Sequence, residues 1–301
     1  MKFNYDCIII GAGVAGMTAA IYLKRAELNI CIIEKAAPGG QVNKTSVIDN
    51  YPGFVGDGPT LAMTMFHQVN QLNIPYLYGD VQDIIAHDQG YEVITDQQHY
   101  TTKKIILATG RIPNKLGLDL EDKLTNHGIS WCAICDGPLF RDKTVAVVGS
   151  GNSALEESLY LASICDKVIL LNRSEKFKGS KMLVDKMKAL DNVEIYYETV
   201  VKQLHEANGK LSGLTALKDR EVFDLKVDGL FIYIGFQPEY QYLKSLSLEK
   251  EDGYLKVDSM MQTSMPGIYA CGDLIKKEYY QISTAVGEAA IAALSIAKAL
   301  E

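Results

Sequence analysis

Two cysteines near the middle of the 301-residue chain are spaced for redox chemistry: Cys132 and Cys135 are separated by two residues, and Asp136 follows directly. Thiols at this spacing can close a small disulfide ring, and the neighbouring carboxyl can protonate a leaving thiolate or deprotonate an attacking thiol. A structural zinc site needs four ligands, whereas the sequence has no second such pair and only five scattered histidines. The pattern favours a redox disulfide over a metal site, with two inert buried cysteines as the alternative.

A glycine-rich turn near the start of the chain has the pattern of a dinucleotide site. Gly11, Gly13 and Gly16 follow the apolar run Tyr5–Ile10, and Glu34 ends the next apolar run. Gly11 allows a tight turn, Gly13 a close approach of the backbone to a pyrophosphate, and Gly16 the packing of helix on strand. A carboxylate at the end of the second strand can accept from ribose hydroxyls. This predicts a βαβ nucleotide-binding unit, with a generic glycine turn as the alternative.

A second copy of this unit begins at Thr144. Its strand, Thr144–Val148, ends in another glycine turn, and 23 residues separate Gly149 from Asn172, the same spacing as between Gly11 and Glu34. Two copies of a βαβ unit indicate an α/β protein with two Rossmann-like domains. The residues predicted to face the second nucleotide are Gly149, Gly151, Asn152 and Ser153.

The end of the second unit carries the residues that would read the nucleotide's ribose. Asn172 stands where the first unit has an acid, Arg173 follows it, and Lys178 lies a few residues further on. An arginine pairs with a 2′-phosphate, whereas an acid repels it. The pattern favours NADPH over NADH, and a solvated basic segment is the alternative.

Composition limits the other possibilities. The formal net charge of −7 argues against a nucleic-acid surface, and 48% apolar residues indicate a globular protein with a sizeable core. Asp6 interrupts the first apolar run, so no export signal is expected, and no uninterrupted apolar run reaches bilayer length. A soluble, cytoplasmic protein is the expectation, and a reducing compartment also suits a redox role for the cysteine pair.

Taken together, the two nucleotide units and the cysteine pair form one path for electrons. A nicotinamide donates hydride, a flavin accepts two electrons, and a disulfide takes them. The turn-like segments Arg111–Asn114 and Gln237–Tyr240, each of which follows a predicted strand, are candidate crossings between the two domains.

These motifs resemble the low-molecular-weight thioredoxin reductase family, collinearly over nearly the whole chain. The cysteine pair followed by Asp136 and Gly137, ahead of the second glycine turn, is the most specific of them. The further matching segments are Gly11–Gly16, Gly39–Gln41, Asn50–Gly53, Ala108–Gly110, Gly149–Ala154 and Gly272–Asp273.

The resemblance implies a fold of two Rossmann-like, three-layer ββα dinucleotide-binding domains, one inserted in the other. An FAD-binding domain would comprise residues 1–112 and 245–301, and an NAD(P)-binding domain residues 113–244. It also implies a homodimer, a large rotation of the inserted domain about the two crossings, and a thioredoxin-like dithiol partner. The additional flavin-site residues that it implies are Gly40, Gln41, Asn50, Thr109, Gly110, Gly272, Asp273 and Gln281.

The same resemblance implies roles at the redox pair. Cys135 would face the flavin and exchange electrons with it, Cys132 would attack the partner disulfide, and Asp136 would be the acid–base group. The identity of the dithiol partner and the resting orientation of the domains stay open.

Two departures from the family pattern leave further alternatives open. Only Arg173 remains of the family's basic run, with Asn172, Ser174 and Lys178 at its other positions, so NADPH, NADH and ferredoxin all stay open as donors. Tyr280 replaces a family arginine near the flavin, where it would stack over the isoalloxazine edge or fill a gap in the core. A ferredoxin–NADP reductase would not need the cysteines, and a non-catalytic flavin sensor would not need a second glycine turn.

Overall fold

The computed structural model describes residues 3–45 and 48–301, apart from the side chains of Lys44 and Cys135. The chain forms two compact units. Unit 1 comprises residues up to Ile112 and from Gln237 onwards, and unit 2 comprises Pro113–Phe236.

Short strands make up much of both units. In chain order they are β1 (Tyr5–Ile10), β2 (Ile30–Glu34), β3 (Ile48–Tyr51), β4 (Phe54–Gly56), β5 (Tyr76–Tyr78), β6 (Val81–His87), β7 (Gly90–Thr95), β8 (His99–Leu107), β9 (Arg111–Pro113), β10 (Ile129–Ser130), β11 (Thr144–Gly149), β12 (Lys167–Leu171), β13 (Val193–Tyr196), β14 (Thr199–Ala207), β15 (Lys210–Lys218), β16 (Glu221–Leu225), β17 (Gly229–Tyr233), β18 (Phe236–Pro238), β19 (Lys250–Glu251), β20 (Tyr254–Leu255) and β21 (Ile268–Ala270).

Helices join and cover the strands. The α-helices are α1 (Val14–Arg25), α2 (Gly58–Gln71), α3 (Glu121–Leu124), α4 (Ala133–Asp136), α5 (Asn152–Ala162), α6 (Lys181–Lys188) and α7 (Ile282–Leu300). Three short 3₁₀ helices span Gly40–Lys44, Gly137–Phe140 and Gly272–Leu274.

Unit 1 is built on a seven-stranded sheet of order β5-β2-β1-β8-β7-β6, with β21 also paired to β8. The strands around β1 are parallel, whereas β6, β7 and the first half of β8 form an antiparallel meander. Alternate residues of β1 point to opposite faces of the sheet, and both of these faces are buried. Cys7 and Ile9 pack with α1 and α7, whereas Ile8 and Ile10 pack with residues of β6 and β7.

Unit 2 has three layers. A parallel sheet of order β10-β17-β11-β12-β13 lies between helices and a separate antiparallel sheet of order β14-β15-β16. Val145 and Val147 of β11 pack with Leu155 of α5, whereas Ala146 and Val148 pack on the side of the antiparallel sheet. A strand that is apolar on both faces therefore fills both cores, as expected of a central parallel strand.

The chain passes from one unit to the other in β9 and again in β18, and these two strands pair with each other. The second passage lies at Phe236 and Gln237, at the start of the candidate crossing Gln237–Tyr240, whereas the domain bounds implied by the resemblance placed it after residue 244. The following segment belongs to unit 1, because Tyr242, Leu243 and Leu246 are buried in its core.

Helix α7 is long and apolar enough, by length and composition alone, to cross a membrane. The sequence shows no uninterrupted apolar run of bilayer length here, because Glu288 and Ser295 interrupt the apolar residues of this helix. One face of the helix, including Ala289, Ala292 and Ile296, is buried in the same core cluster as α1. In this unit it is a core helix.

Candidate functional site

A cavity of about 620 Å³ opens at the carboxyl ends of the central strands of unit 1. This is the place where nucleotides bind in open parallel sheets. Most residues that the sequence and the family resemblance assigned to flavin binding line it. They are Gly11, Gly13, Glu34, Gly40, Gln41, Thr109, Gly110, Gly272, Asp273 and Gln281.

Gly16 and Asn50 do not line the cavity directly, but both support its wall. Gly16 lies beneath the turn, where an added Cβ would come within 1.8 Å of the Gly11 carbonyl oxygen. The Asn50 amide donates to the side-chain oxygen of Gln281 at 3.2 Å. Their predicted part in flavin binding stays a prediction, and the contacts observed here are structural.

The glycine turn between β1 and α1 has the form that a pyrophosphate requires. Gly11 has a φ of +102°, and an added Cβ there would lie 2.5 Å from the Ala108 carbonyl oxygen. At Gly13, the residue before α1, no described atom lies within 4 Å of an added Cβ. Of these two glycines, only Gly13 therefore has open space beside its backbone. The free amides at the start of α1 begin there.

Glu34 is held at the cavity wall by two backbone amides. Ala12 N–H donates to Oε2 at 2.7 Å, and Ala36 N–H donates to Oε1 at 2.9 Å. Each carboxylate oxygen retains a further lone pair that can accept from a ribose hydroxyl. The arrangement fits the role predicted for the acid at the end of the second strand.

A network of charges that the sequence did not predict borders the same cavity. Arg111 donates through Nε to Asp273 Oδ2 at 3.1 Å, and Lys277 Nζ lies 2.9 Å from Glu288 Oε2. Glu288 also accepts from the Gly272 amide at 2.9 Å. The side chains of Lys277 and Glu288 are only 10% and 14% exposed, and burial raises the pKa of Glu288. A single acid within the Ala-rich α7 was the available sequence signal for this network.

Tyr280 lies at the wall of the cavity beside Gln281. The guanidinium carbon of Arg111 is 4.1 Å from the centre of its ring, and the ring centre of Tyr254 is 5.4 Å away. Burial raises the pKa of the Tyr280 hydroxyl to about 12. The cation–π contact fixes the ring at the wall, and stacking on a flavin stays a prediction.

The redox turn of unit 2 is held by side chains on neighbouring strands. Cys132 is disulfide-bonded and 8% exposed, and α4 begins at the next residue. Ser130, at the end of β10, donates to Asp136 Oδ2 at 2.6 Å and accepts from the Cys132 amide at 3.0 Å. One buried hydroxyl thus fixes the carboxyl group and the first cysteine relative to each other. The side chain of Cys135, assigned to flavin contact, lies outside the described part.

The remaining cysteines are buried free thiols: Cys7, Cys31, Cys165 and Cys271. Burial raises the pKa of the Cys31 and Cys271 thiols to about 12 and that of Cys165 to about 11. Since the thiolate is the reactive form, burial disfavours reaction at all four of these thiols. Among the described residues, no group of three or more His, Cys, Asp or Glu side chains is arranged to hold a metal ion.

The second glycine turn, between β11 and α5, repeats the geometry of the first. Gly149 is closely packed, with the Tyr233 carbonyl oxygen 2.5 Å from an added Cβ, whereas no described atom lies within 4 Å of one at Gly151. Gly151 precedes α5, so the amides of Asn152 and Ser153 lie in its first turn. The turn can therefore hold a second pyrophosphate.

The basic segment after β12 is tied to this turn by backbone hydrogen bonds. The amides of Lys178 and Gly179 donate to the Ser150 carbonyl at 2.8 and 2.9 Å. Arg173 and Lys178 are both exposed. Asn172 is fully buried, and its Oδ1 accepts from the Ser174 amide at 3.2 Å. The two cations predicted to read a phosphate thus lie on a segment anchored at the second nucleotide turn.

Comparison with known proteins bears directly on this constellation. A family model described as pyridine nucleotide-disulphide oxidoreductase matches residues 5–289. The chain belongs to this family. Membership of the pyridine nucleotide-disulphide oxidoreductases implies a flavin and a nicotinamide nucleotide, and it makes the chain an oxidoreductase that acts on a sulfur group.

Similar proteins support the same assignment over almost the full length. A thioredoxin reductase of Bacillus subtilis is 39% identical over 297 residues, which are 97% of this chain and 93% of that protein. The crystal structure of Lactococcus lactis thioredoxin reductase matches with a TM-score of 0.88 and 36% identity, covering 98% of each chain. A ferredoxin-flavin thioredoxin reductase from Clostridium acetobutylicum matches with a TM-score of 0.55 and 30% identity, also over 98% of each chain. The resemblance inferred from the motifs, and with it the two-domain α/β fold, is confirmed.

Proposed function

We propose that this protein is a thioredoxin reductase that holds FAD in unit 1, takes electrons from NADPH bound to unit 2, and delivers them through Cys132 and Cys135 to a thioredoxin-type dithiol protein. The observation that carries the proposal is the disulfide-bonded Cys132 held beside Asp136 by the Ser130 hydroxyl. A redox-inactive flavin sensor would have no use for a carboxyl group positioned at a disulfide.

The cavity of unit 1 supports FAD as the flavin. Gly13 leaves room for a pyrophosphate, and Glu34 stands ready to accept from a ribose, two groups of the FAD adenosine diphosphate half. When bound, the flavin would supply two-electron transfer between a nicotinamide hydride and a protein disulfide. Gln41, Asp273 and Gln281, which also line the cavity, would contact the rest of the cofactor.

The disulfide step would be carried out by three side chains of the redox turn. In the reduced protein the sulfur of Cys132 attacks the partner disulfide, so that a mixed disulfide forms and one partner thiolate leaves. The sulfur of Cys135 then attacks Cys132, which restores the ring and releases the second partner thiol. Asp136 takes a proton from the attacking thiol and returns one to a leaving thiolate, and Ser130 keeps its carboxyl group in place.

We expect removal of the Arg173 guanidinium to weaken NADPH binding selectively. If Arg173 pairs with the 2′-phosphate, Arg173→Ala should raise the Michaelis constant for NADPH by about tenfold to a hundredfold, equivalent to about 1.5–3 kcal/mol. The constant for NADH should not change, because NADH has no 2′-phosphate. Lys210→Ala removes an equal charge from the exposed first residue of β15 in the same unit and serves as the control. An unchanged Michaelis constant for NADPH would show that Arg173 does not bind the 2′-phosphate.

The donor assignment is tested by following thioredoxin reduction with three donors in turn. NADPH, NADH and reduced ferredoxin are each supplied to the yellow protein together with oxidised thioredoxin, and flavin bleaching is followed by stopped flow. We expect flavin bleaching and thioredoxin reduction to be fastest with NADPH. Turnover with ferredoxin alone would identify ferredoxin, rather than NADPH, as the donor. A yellow protein that fails to reduce thioredoxin with any of the three donors would refute the proposed function.

The assembly and location belong to the same proposal. Unit 1 exposes Tyr22 on α1 and Ile291 and Leu294 on α7, two helices that pack against each other. A second copy of the chain covering these side chains would bury apolar surface and form a homodimer. A cytoplasmic location is proposed because the four buried cysteines are free thiols and the function requires a pool of reduced dithiol protein.

A further inference from the structure

A tyrosine and a carboxylate that the mechanism does not use lie against the redox turn. The amide of Ala133, which immediately follows Cys132, donates to the Tyr233 hydroxyl at 2.8 Å. Tyr233 ends β17, and its hydroxyl hydrogen-bonds to Glu157 on α5. Glu157 is thus linked to the first amide of α4, which directly follows Cys132 in the chain, both through the Tyr233 hydroxyl and by the Ala133 amide itself.

The carboxyl group of Glu157 is unusual because one of its oxygens, Oε2, is buried and has no hydrogen-bond partner within the described residues. Burial raises the pKa of Glu157, while the bonds from Tyr233 and the Ala133 amide act in the opposite direction and favour the ionised form. Burial likewise raises the pKa of Tyr233, so its hydroxyl stays protonated and can donate to the carboxylate.

We propose that Glu157, connected through Tyr233, is a positioning residue that keeps the reduced Cys132 as a protonated thiol until Asp136 removes the proton during attack. A negative charge near a thiol disfavours the thiolate, and its effect is strong where water is excluded. The reduced pair would then hold both of its protons at neutral pH and resist adventitious oxidation, because the thiolate is the form that reacts.

The other charged groups around Glu157 are few. Glu156 precedes it on α5 and is exposed, and Asp136 of α4 acts on Tyr233. Helix α5 also packs against β12 and α6, whose charged side chains are all exposed to solvent. These are Lys167, Lys181, Asp185, Lys186 and Lys188. Solvent screens these exposed charges much more than the buried carboxylate.

The test measures the pH midpoint of Cys132 alkylation in the full-length flavoprotein carrying Cys135→Ser, so that Cys132 is a free thiol. The rate of iodoacetamide labelling of Cys132 is measured by peptide mass spectrometry across a range of pH. The pH midpoint of this rate is then compared between variants, because limited access of the reagent lowers the rate but does not move the midpoint. Peptide mass spectrometry distinguishes Cys132 from the other four cysteines, whose thiolate forms are disfavoured by burial.

In this background we expect Glu157→Gln to lower the midpoint, with about threefold to tenfold more thiolate at neutral pH. Tyr233→Phe should act in the same direction, because loss of its hydrogen bond favours protonation of Glu157. The matched control is Glu156→Gln, which removes an equal charge one residue away at an exposed position and should leave the midpoint in place. At acid pH, where Glu157 itself is protonated, the difference between Glu157→Gln and its parent should disappear.

A midpoint that stays at the parent value in Glu157→Gln, or that moves equally in Glu156→Gln, overturns the inference. The inference rests on the proposed role of Cys132 as attacking thiol, yet the labelling needs neither donor nor partner. Failure of the proposed function would instead be seen as absent thioredoxin turnover in the unmodified protein, with the midpoint still measurable.

Discussion

A Cys135→Ser variant is expected to lose reduction of the partner disulfide by at least about a thousandfold while it keeps its flavin. With one sulfur removed, the ring that includes the disulfide-bonded Cys132 cannot form. Electrons that arrive from the donor then have no disulfide to enter, and a partner attacked by Cys132 stays trapped as a mixed disulfide. Thioredoxin turnover, the flavin absorbance and donor-dependent ferricyanide reduction measure the three consequences separately.

The matched control is Cys165→Ser. Cys165 is a buried free thiol of the same unit, and burial raises its pKa to about 11. Its replacement should preserve thioredoxin turnover, flavin content and ferricyanide reduction alike. Retained thioredoxin turnover in Cys135→Ser, at the level of Cys165→Ser, would contradict the assignment of the redox pair.

The repeated βαβ units were predictable because their signals are local. An apolar strand, a glycine turn and a helix follow one another within a few residues, and a 23-residue spacing from Gly11 to Glu34 recurs from Gly149 to Asn172. Each glycine has a steric reason that depends on its immediate neighbours, as the close approach of Gly16 to the Gly11 carbonyl illustrates. Local patterns of this kind predict where a turn lies and what it can bind.

The contacts that finish each site were not predictable, because they join distant parts of the chain. Arg111 and Asp273 are separated by 162 residues, and Ala133 and Tyr233 by 100. The sequence identified Arg111 only as part of a crossing and did not single out Tyr233. Such partners depend on the order of strands in each sheet. In unit 1, β21 pairs with β8, and in unit 2, β17 lies between β10 and β11, so the ends of non-consecutive strands come side by side.

The second unit shows how this topology concentrates function at one sheet end. β10 ends at Ser130, β11 ends at Gly149 and β17 ends at Tyr233, and all three strands are parallel neighbours. The redox turn and the nucleotide turn are therefore built at the same edge of one sheet. A rigid frame of this kind fixes the Asp136 carboxyl relative to Cys132, which a flexible loop would not do.

The two open glycines permit a prediction that separates folding from cofactor binding. We expect Gly13→Ala to fold with an unchanged secondary structure but to bind FAD about a hundredfold more weakly, equivalent to about 3 kcal/mol. The added methyl group meets no described atom within 4 Å, so it costs the fold little, yet it occupies the space that the pyrophosphate would approach. Circular dichroism measures the fold, and titration of the apoprotein with FAD measures the affinity.

Gly151→Ala is the matched control, because the same change is made at the equivalent position of unit 2, where no described atom lies within 4 Å of the added methyl group. It should leave FAD affinity and the yellow colour intact and raise the Michaelis constant for NADPH by a similar factor. Dithionite should still reduce its flavin and, through it, the disulfide of Cys132, since neither requires the second nucleotide. If Gly13→Ala binds FAD as tightly as Gly151→Ala does, the cavity of unit 1 does not hold the pyrophosphate at this turn. The reverse pattern, loss of FAD in Gly151→Ala alone, would mean that unit 2 binds FAD and unit 1 binds the nicotinamide nucleotide.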